Sequence, residues 1–304
     1  MKTATVLLIP NKYKTETSAI KGDKIVGSLG IVREKNKAGL SLIAEHAIAQ
    51  QANDIGMKVE IRHIGKDDTP RNVSTDLVII LDEKNFIPPD YLEKVNSAAS
   101  LFSFAVLCGP VTNHIQGELK DWFREDIAIH YRSYQVDMYN ASSLNVTSDL
   151  ALYPSIYNTI FTKKAYNEIG GYSSLKGNKL GTIWDNRILL TEAGQLGDIT
   201  YCKDLGVKYV FNEDELSNNA IMSYFYKLGF LDGIIQPEDK KEDVVWQKYV
   251  NNSERFDYSM PMWVAMKDSI PDEDKKKEYA HKLAAFRTIY NVGFFEGLEG
   301  VAII

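Results

Sequence analysis

Three places in the sequence put carboxylates or polar loop residues where chemistry can be done. Asp82 ends the apolar run 77–81 and is followed by Glu83, Lys84 and the double proline Pro88-Pro89. A carboxylate there either holds a divalent cation, whose charge offsets that of a diphosphate, or caps the turn that follows. Asp185, beside Trp184, opens a helical stretch after a glycine-bearing segment, a position Asp favours as an N-cap. Pro10-Asn11, with Tyr13 close by, and Asp67-Asp68 each follow a strand-like run. Other chemistries leave no trace. The five histidines (46, 63, 114, 130 and 281) have no metal-ligand spacing, and there is no Ser or Cys nucleophile motif, phosphate-binding loop or dinucleotide fingerprint.

The elements that must position these residues read as an α/β fold. Thr3 to Ile9 is β-branched, leucine-rich and closed by Pro10, as expected of a strand buried on both faces. Residues 38–56 place Leu40, Ile43, Ala44, Ala47 and Ile48 at helical spacing, with Gly56 as C-cap. Strands at 57–65 and 76–82 complete a βαβ unit, and in open α/β sheets ligands sit at the carboxyl ends of strands. That rule singles out Pro10-Asn11, Asp67-Asp68 and Asp82. Residues 101–111 read as one further buried strand, 181–197 as a helix with Ile188, Leu189 and Ala193 on one face, and 198–211 as two short strands. From about 212 onward the chain reads as helical, with a charged turn or linker at 237–243.

Composition narrows the field. The chain has 304 residues, 41 acidic and 35 basic side chains, a net charge of -6 and 44% hydrophobic residues. It is long enough to bury a large core without staples. The acidic balance lacks the basic footprint of a duplex nucleic-acid binder. Cys108 and Cys202 both read as small buried hydrophobes. The N-terminal apolar run is too short for a signal peptide, and no stretch reaches the ~18 apolar residues of a membrane span. The expected location is the cytoplasm.

Two segments carry a family resemblance. Residues 75–95, an apolar strand followed by Asp82-Glu83-Lys84 and a proline-led helix, resemble the Asp-x-Asp region of inverting family 2 glycosyltransferases of the GT-A fold. Residues 158–211 resemble that family's acceptor half: the basic pair Lys163-Lys164, then Ile169-Gly170-Gly171-Tyr172, Trp184-Asp185 opening a helix, and Gly194. The resemblance covers about 75–235 and its specificity lies in the order of the elements.

The resemblance implies a GT-A, Rossmann-like mixed sheet flanked by helices over 1–235, with a nucleotide-sugar half at 1–99, an acceptor half at 100–235 and a helical C-terminal extension at 236–304. It implies a hexosyl- or pentosyltransferase that uses a nucleoside-diphosphate sugar, with Asp185 as general base. Pro10, Asn11, Tyr13, Asp67, Asp68, Asp82 and Lys84 fall at donor positions. Trp184, Gly170, Gly171 and Tyr172 fall at acceptor positions, where Trp184 either stacks on a sugar or belongs to the core. Asp82 is the candidate ligand for Mn or Mg.

The sequence also departs from the family pattern. Lys84 stands where the second aspartate belongs, so an ammonium replaces part of a metal's charge at the phosphates. No histidine follows the late strand, and Asp82 follows Asp68 by only 14 positions, which trims the donor half. Three readings follow: a transferase acting on a glycan or small molecule, the same enzyme acting on a hydroxymethylated DNA base as in phage genome modification, or an inactive relative that binds a sugar nucleotide or a protein.

Overall fold

The structure is a computed structural model that describes residues 2–9, 39–63, 71–115, 134, 136, 141–148, 152–154, 157–172, 182–211, 215, 217–234 and 270–299. Its strands are β1 (Ala4–Ile9), β2 (Val59–His63), β3 (Leu77–Asp82), β4 (Asn85–Phe86), β5 (Val106–Cys108), β6 (Val111–Ile115), β7 (Ser143–Asn145), β8 (Asn158–Thr162), β9 (Ile199–Cys202) and β10 (Val207–Phe211). The helices are α1 (Gly39–Asp54), α2 (Tyr91–Leu101), α3 (Lys163–Glu168), α4 (Thr182–Gly194), α5 (Asn218–Ile234) and α6 (Glu273–Glu299).

Seven strands form one mixed sheet in the order β2-β1-β3-β8-β5-β9-β7, and β4-β10-β6 form a second, smaller sheet. Strands β2, β1 and β3 are mutually parallel, β8 runs antiparallel between β3 and β5, and β9 runs parallel to β5. The continuous apolar runs have the expected consequence. Val6, Leu7 and Leu8 of β1 and Val78 to Leu81 of β3 are fully buried, because helices cover both faces of a parallel sheet. Helix α1 ends as its sequence predicts: Gly56 takes a positive φ of 66°, and Met57 N–H donates to the Ala52 carbonyl.

The run 101–111 differs from the single strand expected. Gly109-Pro110 divides it into β5 in the large sheet and β6 in the small one. The two strands of 198–211 divide in the same way, β9 in the large sheet and β10 in the small one, so β5/β9 and β6/β10 are successive parallel pairs. A Cβ on Gly109 would lie 2.1 Å from the Leu205 carbonyl oxygen, so only glycine permits this close crossing of the two connections. Fully buried Asn158 holds the crossing. Its Nδ2 donates to the carbonyls of Leu205 (2.7 Å) and Pro110 (3.2 Å), while its Oδ1 accepts from the Tyr91 hydroxyl (2.8 Å).

The two long C-terminal helices run parallel and in backbone contact. Gly229 and Gly233 of α5 face α6, and Gly293 and Gly297 of α6 face α5. A Cβ on Gly229 would come within 2.0 Å of the Tyr290 carbonyl oxygen, and one on Gly293 within 2.1 Å of that of Tyr226. Phe225 stacks on Phe286 at 5.3 Å between ring centroids, and the buried face of α6 (Tyr279, Phe286, Tyr290, Phe294, Leu298) joins the core of the sheet. Among the described residues no helix is long and apolar enough to cross a membrane.

Candidate functional site

The carboxyl edge of β3 places Asp82 directly beside the end of β1, where its register partner is Ile9. The sheet thus brings together two stretches that the sequence only suggested were neighbours, although Pro10, Asn11 and Tyr13 lie outside the described residues. Asp67 and Asp68 also lie outside them.

Asp82 is half-buried, and its Oδ1 accepts from the Lys84 backbone N–H at 2.9 Å. One carboxylate oxygen therefore shapes the turn into β4, the local role that the sequence left open beside ligand binding.

Lys84, which falls at a donor position in the family resemblance, is held by a protein carboxylate. Its side chain is buried, and Nζ donates at 2.5 Å to Oε2 of Glu215, which is fully buried and accepts from the Tyr209 hydroxyl through Oε1 at 2.9 Å. The physical reason is that a buried ammonium must be paired, and β4 lies beside β10, whose Tyr209 completes the network. Val210 N–H also donates to the Lys84 carbonyl. The turn after β3 is therefore tied to β10 through the main chain and to Glu215, just after β10, through the side chain.

A divalent cation beside Asp82 would need several oxygen ligands. Among the described residues no group of three or more His, Cys, Asp or Glu is arranged to hold a metal ion. These residues alone do not build a metal site.

The glycines of the 169–172 motif terminate α3. The helix begins with Thr162, whose Oγ1 accepts from Ala165 N–H at 3.2 Å, and ends in two successive left-handed residues, Gly170 (φ 76°) and Gly171 (φ 68°). Gly171 N–H donates to the Tyr166 carbonyl at 2.9 Å, and Tyr172 N–H donates to the Tyr166 hydroxyl at 3.2 Å. Tyr172 is buried, with its hydroxyl 3.2 Å from that of Tyr157. Local geometry thus accounts for the pattern Gly170-Gly171-Tyr172. On the same helix Asn167 clamps the segment that leads into β3, with Oδ1 accepting from Val73 N–H and Nδ2 donating to the Val73 carbonyl.

Trp184 and Asp185 lie in α4, as its third and fourth residues. Asp185 is therefore a residue of the helix itself and not its N-cap. The side chains of both residues lie outside what the structure describes. Later in α4, Leu189, Leu190 and Ala193 are fully buried. Arg187 is buried as well. Its guanidinium donates to Asp232 Oδ1 of α5, and Oδ2 of the same carboxylate accepts from the Tyr290 hydroxyl of α6 at 2.7 Å.

Glu215, Arg187 and Asp232 were not foreseen from the sequence. Asp232 had the clearest signal, as the lone acid in the otherwise apolar run 228–235, which is how a charge with a buried partner looks. The two cysteines behave as small hydrophobes: burial pushes the Cys108 thiol up to about 12 and raises Cys202 as well, which keeps both protonated.

No family model matches the chain, and no curated protein matches it. Among solved structures it is similar to S. aureus TarS 1-349 in complex with UDP-GlcNAc, at 10% identity and a TM-score of 0.36, covering 100% of this chain and 93% of that one. The complex of TarS 1-349 with UDP gives 11% identity and 0.34 over the same coverage. A longer TarS structure gives 8% identity and 0.35, covering 97% of this chain and 55% of that one. At these identities and TM-scores the likeness carries no argument for function.

Proposed function

We propose that this chain is a glycosyltransferase that moves a sugar from a nucleoside-diphosphate donor to an acceptor hydroxyl with inversion. The observation that supports it most is the position of Asp82 at the carboxyl edge of the parallel β2-β1-β3 ribbon, beside the end of β1. Open α/β sheets bind nucleotides at that edge. The order of motifs at 75–95 and 158–211 supplies the rest.

In this reading the donor's diphosphate lies near Asp82, with residues 10–13 and 67–68 toward the nucleotide. Lys84 anchors the Asp82 turn through Glu215 and is not a phosphate ligand. Asp185 takes the proton from the acceptor hydroxyl as its oxygen attacks the anomeric carbon. The bond from that carbon to the diphosphate oxygen breaks, and the nucleoside diphosphate leaves with the bonding electrons. A general base of this kind contributes roughly 10²–10⁴-fold. Asp185→Asn should therefore lose at least about a hundredfold in turnover across a donor panel while its calorimetric donor affinity stays unchanged. Near wild-type turnover in that variant removes Asp185 from the role.

A second reading, a sugar-nucleotide-binding protein without transfer, is favoured by the burial of Lys84 against Glu215 where family members carry an aspartate. Donor binding without hydrolysis or transfer by the wild-type chain selects it. The acceptor is a glycan or small-molecule hydroxyl in the first reading. A gel shift with hydroxymethylated DNA at low salt tests the DNA alternative, since phosphate contacts are strongest there.

A further inference from the structure

Helix α4 carries Asp185, and two positions later Arg187 reaches out of the sheet layer into the C-terminal helix pair. Its guanidinium is buried against Asp232 of α5, and the same carboxylate is bound by the Tyr290 hydroxyl of α6. The three groups join three helices at one point. Ile188, next along α4, packs against the α5 cluster of Phe230 and Leu231, while Leu189, Leu190 and Ala193 belong to the core of the large sheet. Helix α4 is thus gripped from both sides, by apolar contacts on the sheet and by a charged, direction-specific contact on the C-terminal pair. A guanidinium–carboxylate contact fixes orientation more sharply than apolar packing does, because its donors and acceptors must be aligned. The glycine contacts between α5 and α6 hold Asp232 and Tyr290 at a fixed separation. The C-terminal helices therefore act as a rigid bracket.

We propose that Asp232, through Arg187 and with Tyr290, is a positioning residue that sets the placement of the α4 first turn and hence of Asp185. This rests on the functional reading above. It makes the C-terminal helices part of the catalytic apparatus without contact to either substrate.

The test separates positioning from stability. Replacing a buried ion pair by apolar groups of similar volume is often neutral for folding. The double variant Arg187→Met/Asp232→Leu should keep its melting temperature within a few degrees and its donor KM within twofold, while kcat falls tenfold or more. Tyr290→Phe, which keeps the ion pair, should show the same kcat-only loss at about threefold and serves as the deciding measurement if the double variant does not fold. Unchanged kcat in a folded variant overturns the proposal, as does a parallel change of kcat and donor KM. A wild-type chain that turns over no donor refutes the functional reading itself. A wild-type chain that is active alongside an equally active folded variant refutes only the positioning role.

Discussion

Lys84 and Glu215 stand 131 positions apart in the chain, yet the lysine ammonium lies 2.5 Å from the glutamate carboxylate in a site from which water is excluded. Breaking a buried pair leaves one uncompensated charge, which costs about 3–5 kcal/mol. Lys84→Met and Glu215→Leu should each lower stability by that order in urea denaturation. The double variant should recover most of the loss, and a double variant no more stable than the worse single would show that the pair is not the source of the effect.

Gln51 links α1 to the start of α2. Its Nε2 donates to the Pro88 carbonyl at 2.7 Å and its Oε1 accepts from Leu92 N–H at 3.0 Å, while Asp90, the N-cap residue, makes no capping bond and holds Lys94 instead. Gln51→Ala strands the Leu92 N–H, while the Pro88 carbonyl keeps the Tyr91 N–H, and should cost about 1–3 kcal/mol. Gln51→Glu keeps the acceptor and loses the donor, so it should be destabilised as well. Thermal melts of the two variants measure this, and wild-type melting of Gln51→Ala contradicts it.

Two glycine positions should respond differently to alanine. At Gly56 nothing lies within 4 Å of an added Cβ, and only the positive φ of 66° resists, a backbone cost of about 1 kcal/mol. At Gly229 the added Cβ meets the Tyr290 backbone at 2.0 Å, so α5 and α6 must separate. Gly229→Ala should therefore destabilise more than Gly56→Ala, by about 1–3 kcal/mol or more. Equal denaturation midpoints would show that the helices do not meet at their backbones.

Asp76 ties the edge of β3 to the start of the chain. Its Oδ2 accepts from Thr3 N–H at 2.7 Å and from the Thr3 hydroxyl at 2.9 Å, and these bonds hold its pKa below the ordinary 3.8. A depressed carboxyl pKa gives stability that is present above the unfolded value and is lost as pH falls through the folded one. The wild-type chain should lose this contribution below about pH 4, and Asp76→Asn should show a shallower acid-side slope. Superimposable slopes between pH 2 and 5 would remove Asp76 from the acid response.

Much of the scaffold was legible because its signals are local. β1 and β3 are continuous apolar runs, and the Gly56 C-cap is written in a single residue. Asp82 at a strand end could be read for the same reason. What escaped depends on partners distant in sequence. Gly109-Pro110 marks a break within 101–111, but that the two pieces enter different sheets follows from Gly109 crossing Leu205, which the run itself does not show. The pairing of Lys84 with Glu215 is not legible locally, because Glu215 lies beyond four further strands of the large sheet. The pattern Gly170-Gly171-Tyr172 was legible as a motif, yet its positive φ angles are what explain its two glycines.

The tie between β4 and β10 also dictates an order of events during synthesis. Asn85 and Phe86 find their strand partners only at Tyr209 and Lys208, and the ammonium of Lys84 finds its counter-charge only at Glu215. Contacts of such long sequence separation form late, because the loop between them must close first. A nascent chain ending before residue 215 carries the complete β1–β3 ribbon with an uncapped rim. The Asp82 turn is thus one of the last parts of the molecule to be completed, although its residues are among the first third to be made.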